Sequence, residues 1–365
     1  MSLFSTRFLT AMGLLALCAQ PTLADKIIRT DGKVISDVRV TKDDLTAVTY
    51  KKGNKTENIA SEKVLRIEFE KYPRLVDEAE AALVGNDVET AVEIFDEYVE
   101  GQISKPNEKR YPWAPAYACF RSLEIRMANA DAPGVVARAQ QLIQNFPESR
   151  LVPQAYLAKS SAESMMGDPA KAKKTLDGLA SIVQSKNLSR RWDVECRLGL
   201  IINDASLNPE AQREQLGELS SDAAEFPTVR NRILVAEGES FVTEAIKNEA
   251  KRQDLLNEAE SVFNQILKRR KECDSRTLAG AYTGLGDVAY YAAGEDKDQL
   301  AAARMLYLRV VIVYADEVQY VPRCMFQAML ASNALDDTKK KRDMRRELMR
   351  LYPNSPYAEK AKPYK

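Results

Sequence analysis

The sequence predicts a mainly α-helical protein in which a small antiparallel β module precedes a curved solenoid of αα-hairpins. Three observations predict this fold class. Apolar residues alternate with a period of two over residues 26–69, and they recur at helical spacing from residue 73 onward. Turn signals then return roughly every 40 residues along the helical part. Each hairpin is expected to pack mainly on its neighbours.

The first 24 residues have the pattern of a secretory signal peptide. One early cation, Arg7, precedes an apolar run over residues 8–19, and small residues lead to a cleavage site after Ala24. The apolar run is too short to span a bilayer. A lipid anchor on Cys18 is the alternative, but Leu17 directly before it fits lipoprotein signals poorly. The sequence therefore predicts export to a periplasmic or other extracytoplasmic space.

The charge balance gives no reason to expect nucleic acid as a partner. The chain has 53 basic and 53 acidic side chains. Loss of the signal peptide removes one cation, so the mature net charge is about −1. The basic clusters at 268–271 and 339–342 have acidic neighbours, which favours solvated helix ends over anion recognition. No later apolar stretch approaches the ~18 residues of a membrane helix, so no integral membrane segment is expected.

The cysteines after the signal peptide are isolated in the sequence. No Cys-x-x-Cys pair is present, which argues against a zinc ribbon or a thioredoxin-type redox centre. Disulfide formation is open to an exported protein, but a lone helical cysteine is more often a small buried apolar residue. The unpaired state is favoured, and pairing stays an alternative. The residues are Cys119, Cys196, Cys273 and Cys324.

Residues 25–72 are predicted to form the β module. Turn signals at Asp31-Gly32 and Gly53-Asn54 separate short alternating runs, which indicates four or five antiparallel strands. Fewer than fifty residues make a marginal core, so the module is expected to dock against the adjoining helical domain. The expected form is a small curled sheet or an SH3-like barrel, which the strand spacing resembles. The alternating residues are Val38 and Val40, Val48 and Tyr50, and Leu65, Ile67 and Phe69.

Residues 73–365 are predicted to form the helical domain, with six or seven hairpins. In the first hairpin, Ala79 and Leu83, then Ala91 and Phe95, lie at helical spacing on either side of a Gly-Asn turn. Further turns are expected at similar signals along the chain. The predicted turns are Gly85-Asn86, Asn129 to Asp131, Gly167-Asp168, Asn203-Asp204, Asn248, Gly294-Glu295 and Asp336.

An aromatic-proline pair recurs along the chain and is expected to mark boundaries between hairpins. The aromatic residue would close the second helix of a hairpin, and the proline would prevent its continuation. Ser149 and Ser355 follow two of these pairs and are expected to cap free amides where the next helix begins. The pairs are Tyr72-Pro73, Phe146-Pro147, Phe226-Pro227 and Tyr352-Pro353.

Two stretches resemble the tetratricopeptide (TPR) consensus. Its pattern is a large residue, a small residue, a turn glycine, an alanine and another large residue, which together let paired helices approach closely. The first match is Tyr156, Ser160, Gly167, Ala172 and Leu176. The second is Tyr282, Leu285, Gly286, Gly294, Ala302 and Leu306.

Repeats that end in aromatic-Pro-x-Ser after a signal peptide resemble TPR-like domains of periplasmic proteins associated with the Tol system or outer-membrane assembly. This resemblance covers about residue 75 to the C-terminus. It implies a non-enzymatic scaffold or adaptor in the cell envelope that binds peptides or protein domains. Alignment on Gly286 would place Asp287 and Tyr290 or Tyr291 on the concave surface as candidate partner-binding residues. A role in the hairpin core is the alternative for the tyrosines.

The composition excludes several classes of catalytic and metal-binding site. The chain contains no histidine, so Ser-His-Asp sites, Cys-His sites and HExxH metal sites are absent, and neither a cofactor nor a metal is expected. A glycan-acting envelope enzyme that uses carboxylates only is the alternative function. Gly280, Gly284 and Gly286 lack the Gly-Lys-Ser/Thr ending of a phosphate loop and lie in a helical pattern, which predicts tight helix packing.

Overall fold

The structure is a computed structural model that describes residues 24–106 and 108–364. Apart from Ala24, the predicted signal peptide, including Cys18, lies outside the described residues. The predicted fold class is confirmed, because a five-stranded antiparallel sheet is followed by fifteen α-helices in the described part of the chain. None of these helices is long and apolar enough to cross a membrane.

The sheet is formed by five short strands in the order β4-β3-β2-β1-β5. The ten-residue strand β2 pairs with β1 and with β3, and a 3₁₀ turn at Ser61–Lys63 leads to β5, which returns beside β1. The β module is therefore an antiparallel meander whose last strand returns to pair with the first. The strands are β1 (Asp25–Arg29), β2 (Val34–Asp43), β3 (Ala47–Lys52), β4 (Lys55–Ala60) and β5 (Val64–Glu68).

The predicted alternation is wrong at Leu65, which is exposed. In the pairing of β1 with β5, Arg66 pairs with Ile28 and Val64 pairs with Arg29, so Leu65 is an extra residue in β5. A β-bulge of this kind leaves the extra residue out of the regular alternation. Val64 takes the buried position instead.

The helical domain consists of seven αα-hairpins, from α1–α2 to α13–α14, followed by the short helix α15. Consecutive helices contact one another throughout. The bounds are α1 (Arg74–Val84), α2 (Val88–Ser104), α3 (Ala114–Ala128), α4 (Ala132–Asn145), α5 (Val152–Met165), α6 (Pro169–Ser185), α7 (Arg190–Ile202), α8 (Pro209–Asp222), α9 (Pro227–Lys247), α10 (Arg252–Lys268), α11 (Ser275–Ala293), α12 (Lys297–Val313), α13 (Val321–Ala334), α14 (Thr338–Leu351) and α15 (Pro356–Ala361).

Every predicted turn lies between the two helices of a hairpin. Five of the seven turns combine a residue at positive φ with an aspartate one or two positions later. The aspartate side chain accepts a hydrogen bond from a backbone N–H of the next helix, so the pair ends one helix and starts another. The residues at positive φ are Asn86, Ala130, Gly167, Gly294 and Asp336, and the caps are Asp87, Asp131, Asp168, Asp296 and Asp337.

Two of the four aromatic-proline pairs follow the second helix of a hairpin directly, as predicted, because Phe146 and Tyr352 are the C-caps of α4 and α14. At Phe226-Pro227 the prediction is wrong, because α8 already ends at Asp222 and Phe226 is the N-cap of α9. The prediction is wrong for Tyr72-Pro73, because this pair follows strand β5 and no helix precedes it. Tyr72 instead packs edge-on against Phe69 and Trp113, at ring-centre distances of 6.1 and 5.9 Å. Ser355 caps α15 by accepting from Tyr357 N at 3.2 Å, and Ser149 Oγ accepts from Leu151 N at 3.2 Å.

The β module docks against the loop between α4 and α5, which joins the second and third hairpins. Arg150 Nε donates to Asp43 Oδ1 at 2.6 Å, and both side chains are almost fully buried. Leu45 N donates to Glu148 O at 2.6 Å. One hydrophobic core continues from the sheet to α5. The module is therefore packed into the helical body, as its small size predicts.

The second TPR-like match is wrong by one residue in its second helix. Ala302 is exposed, whereas Ala303 and Tyr307 are fully buried. The start of α12 at its cap, Asp296, fixes the rotation of the helix. Its inward face therefore repeats at three- and four-residue steps from Leu300.

The predicted tight packing of the glycines in α11 is confirmed. A Cβ atom added at Gly284 would lie 2.0 Å from Phe263 Cζ of α10, and one at Gly286 would lie 2.6 Å from Tyr307 Cε1 of α12. A Cβ at Gly280 would meet Val235 Cγ1 of α9 at 2.6 Å. These three glycines let α11 approach three different helices.

Replacing Gly284 with alanine should therefore destabilise the protein. Helix propensity alone would favour alanine by ~1 kcal/mol, but the clash with the buried Phe263 ring should cost about 1 to 3 kcal/mol. Gly217→Ala in α8 is the matched control, because a Cβ there meets nothing within 4 Å. In denaturant unfolding, Gly217→Ala should raise the free energy of unfolding, and Gly284→Ala should lower it. Stabilisation by both would contradict the close contact between α11 and Phe263.

The four cysteines of the described residues are free. Cys119, Cys196 and Cys324 are buried, and Cys273 is partly buried. Burial raises the pKa of Cys324 to about 12 and that of Cys196 to about 11. Their thiols are therefore poor nucleophiles at neutral pH.

Candidate functional site

A cavity of about 470 Å³ lies on the inner side of the solenoid. The first helices of the hairpins, the odd-numbered ones, provide most of its wall, and we call them the inner layer. The even-numbered helices form the outer layer. The wall combines apolar side chains with charged and hydroxyl groups, including Leu157 of α5, Leu198 of α7, Val235 of α9 and Pro322 of α13. A surface of this kind can hold an extended peptide segment.

The solenoid closes on itself around this cavity. The loop between α12 and α13, residues 314–320, reaches across the inner side to α3 and α5, and we call it the bridging loop. Val318 at its centre is only 6% exposed and lines a small cavity together with Met127, Ala158 and Met165. Val318 also forms part of the cavity wall. This contact is an exception to the expected packing of each hairpin on its neighbours.

The bridging loop is held in shape by its own hydrogen bonds. Glu317 N donates to Tyr314 O at 2.9 Å, and Tyr320 N donates to Glu317 O at 2.8 Å. Gln319 Nε2 donates to Glu317 Oε2 at 3.0 Å. No hydrogen bond or ion pair joins the loop to α3 or α5 in the described structure, so the cross-contact is apolar. Helix α15 makes a second approach, where Pro356 lies near Gly167 of the α5–α6 turn.

Arg323 of α13 is the centre of a charged network in one wall of the cavity. Its Nη1 donates to Glu239 Oε1 of α9 at 2.8 Å, and its Nη2 donates to Asp287 Oδ2 of α11. Asp287 Oδ1 also accepts from Tyr307 Oη at 2.7 Å and from Gln327 Nε2 at 3.3 Å. The network therefore joins four helices.

Burial and charge act in opposite directions in this network. Loss of solvation raises the pKa of Glu239, and the nearby Arg323 reduces that shift. Burial alone would lower the pKa of Arg323, but Asp287 and Glu239 outweigh it and hold the pKa well above its ordinary value. Arg323 consequently stays cationic, and its charge is shared between two carboxylates.

A second ion pair lies on the wall formed by α7 and α9. Arg232 Nη2 donates to Glu195 Oε1, and Arg191 Nε lies 3.9 Å from the same oxygen. Arg232 Nε is buried and has no hydrogen-bond partner in the described structure. A buried donor without a partner is costly, so this atom is one place where a bound acceptor would be stabilised.

Arg276, at the start of α11, is an exposed cation of the cavity wall. It makes no hydrogen bond or ion pair with any described residue. Burial raises the pKa values of Glu239 and Glu317, and the charge of Arg276 reduces that rise from a distance. Tyr320 and Tyr357 also line the cavity, and the Tyr320 hydroxyl is turned toward Gly280 of α11. Arg276 thus offers a free donor beside the apolar part of the wall.

The structure places Asp287 behind the cavity wall and not on its surface. Asp287 is 1% exposed, and its two oxygens are occupied by Tyr307, Gln327 and Arg323. Its connection to the cavity is Arg323, which it binds and which lines the wall. A partner could not contact this carboxylate in the present arrangement.

Tyr290 and Tyr291 are half-buried and do not line the cavity. Tyr290 packs against the core between α11, α12 and α13, and Tyr291 packs against the core between α9, α10 and α11. Their rings meet edge to face with centres 5.3 Å apart. Burial raises the pKa of Tyr290, and the nearby Tyr291 and Tyr364 raise it further. Each tyrosine therefore combines a packing role with a partly accessible ring.

Sequence reasoning missed the residues that line the cavity. Arg232, Glu239 and Arg323 come together from different hairpins, and no spacing within one repeat connects them. A signal was nevertheless present for Arg323, which interrupts the apolar run "VPRCMF". A charge in such a run must find a partner when the helix is buried.

Among the described residues, no group of three or more cysteine or acidic side chains could hold a metal ion. The fold and the cavity together define a protein of stacked αα-hairpins with a β module at its N-terminal end. No protein-family model matches the chain, and no curated protein is significantly similar to it in sequence.

Proposed function

We propose that the protein is an exported, non-enzymatic scaffold or adaptor that binds a peptide segment of an envelope protein in the inner cavity. The observation that carries this proposal is the position of Arg276, whose guanidinium has no partner among the described residues and lies in the same wall as apolar residues such as Val318 and Pro322. Such a surface can bond the backbone or side chains of a peptide and bury its apolar groups. The resemblance to TPR-like envelope proteins supports the same interpretation.

A pull-down from envelope extract tests this proposal. Arg276→Ala should reduce capture of the partner, because it removes an exposed donor that holds no other residue in place. Arg230→Ala is the matched control, since Arg230 is exposed on α9, makes no ion pair to a described residue and does not line the cavity. Equal capture by both folded variants would exclude the cavity as the binding site.

Tyr290 and Tyr291 stay candidate partner contacts at the edge of the inner layer. A tyrosine that only packs the hairpins should lower the melting temperature when truncated to alanine. One that binds a partner should reduce capture while the melting temperature stays nearly unchanged. Measuring both quantities for Tyr290→Ala and Tyr291→Ala separates the two roles.

A carboxylate-dependent glycan hydrolase is the second candidate, and the raised pKa of Glu239 is the observation that favours it. The ion pair of Glu239 with Arg323 argues against a free general acid. Release of reducing sugar from cell-wall glycan by the purified protein, lost in Glu239→Gln, would support the enzyme. No release is expected from an adaptor.

A further inference from the structure

The outer face of α12 is apolar and uncovered. Met305, Ile312 and Val313 are 63%, 73% and 62% exposed, and their spacing of seven and eight residues places them on one side of the helix. The opposite side of α12 is already buried in the hairpin core through residues such as Ala303 and Tyr307. A helix that is apolar on both sides is normally covered on both.

Arg309 lies between these exposed residues without breaking the apolar strip. Its guanidinium group is held over the ring of Tyr282 at 4.7 Å from the ring centre. This contact draws the charge toward the neighbouring helix α11. The strip therefore presents three large apolar side chains to the outside.

The two helices beside α12 in the outer layer carry opposite charges. Leu267 of α10 and Met344 of α14 both pack against the core cluster that contains Tyr307 of α12, so α12 lies between them. One side of α10 carries Asp254 and Glu258, which are exposed and four residues apart, and neither makes an ion pair with a described residue.

The basic flank is stronger than the acidic one. Helix α14 contains seven cations and two carboxylates, and its exposed cations form a row of Lys339, Arg342, Arg346 and Arg350. These are spaced by three or four residues, which places them along one side of the helix. The outer surface thus has an acidic, an apolar and a basic stripe in that order.

We propose that this surface is the interface of a two-fold homodimer. A two-fold axis parallel to α12 places the α12 strip of one copy on that of the other, and it brings α10 of each copy opposite α14 of its partner. Every acidic stripe then faces a basic one, and the apolar strips bury each other. An axis perpendicular to α12 in the interface would instead place like charges together.

A second copy fits this pattern better than a lipid surface does. An anionic membrane would attract α14 but repel α10. A patch of three helices, each ~25 Å long and ~10 Å apart, covers roughly 750 Å². A standard interface buries about 800 Å² on each partner. The outer layer curves away from α12, so the long charged side chains of α10 and α14 are suited to bridging the widening gap at the flanks.

Sedimentation equilibrium over a concentration series tests the proposal. The purified protein should associate to a dimer, and a double variant, Met305→Glu and Ile312→Glu, should raise the dissociation constant about tenfold or more. Val84→Glu is the matched control, because Val84 is 91% exposed on α1, far along the chain from the strip. A monomer at all concentrations, or a dimer unaffected by the double variant, would overturn the proposal.

A charge exchange tests the direction of the axis. Glu258→Arg alone and Arg342→Glu alone should each weaken the dimer, and the combination should restore it, because the two residues face each other across the interface. Neither residue makes an ion pair within the described chain, so folding should be unaffected. Failure of the combination to restore the dimer would overturn this arrangement.

A flotation assay with vesicles containing phosphatidylglycerol tests the alternative that this surface binds lipid. The dimer should not float with them. Binding of a monomer to these vesicles that is lost on Met305→Glu and Ile312→Glu would overturn the homodimer. The surface lies on the opposite layer from the cavity, so the result is independent of peptide binding.

Discussion

Replacing Asp287 with alanine is expected to lower the free energy of unfolding by about 3 to 5 kcal/mol, the usual cost of breaking a buried ion pair. The change would leave Tyr307 Oη without its acceptor and Arg323 with one carboxylate in place of two. Arg323 is then expected to shift toward Glu239, its remaining carboxylate partner, and to distort the cavity wall. Denaturant unfolding monitored by far-ultraviolet circular dichroism measures the loss.

Two further variants make the Asp287 result interpretable. Asp287→Asn keeps the shape and can still accept from Tyr307, so it should cost less than alanine. Asp343→Ala removes an exposed carboxylate that pairs with Arg346 at 3.2 Å on α14, and exposed pairs contribute only about 0 to 1 kcal/mol. If Asp287→Ala were as mild as Asp343→Ala, the network would not hold α9, α11 and α13 together.

Replacing Val318 with aspartate is expected to open the solenoid. The closed form would lose about 2 kcal/mol of apolar burial, and it would also have to bury a carboxylate beside Met127 and Met165, which is more costly. Because no polar bond holds the bridging loop to α3 or α5 in the described structure, the loop should leave its site. Most of the helix content should remain.

Small-angle scattering and hydrogen exchange measure this opening. The radius of gyration should increase, and the amides of the bridging loop and of α5 should exchange faster. Val84→Asp introduces the same charge at an exposed valine on α1 and should change neither quantity. An unchanged radius and exchange pattern in Val318→Asp would mean that the loop does not close the cavity.

The turns of the hairpins could be predicted from the sequence because their causes are local. At Asn86-Asp87 and Gly167-Asp168, a residue suited to positive φ is followed by an aspartate whose side chain caps the next helix. Both effects act within four residues. The change from period two to helical spacing near residue 72 is local in the same sense.

Errors of register arose where a single extra residue or a helix cap decided the outcome. Leu65 lies outside the alternation because β5 contains a bulge opposite β1, and only strand pairing reveals a bulge. Ala302 is exposed because the cap at Asp296 sets the rotation of α12. In both cases one residue changes which side chain faces the core.

The sequence by itself determined the order of elements, the positions of the turns and the close packing of α11 through its glycines, because dihedral preferences, caps and apolar periodicity are written in neighbouring residues. Only the tertiary structure decided that Asp287 is buried with Arg323, that residues 314–320 cross to α3 and α5, and that a cavity forms between them. The physical reason is that small rotations between successive hairpins add up along a solenoid. Contacts between hairpins far apart in the chain depend on that sum, and no single repeat encodes it.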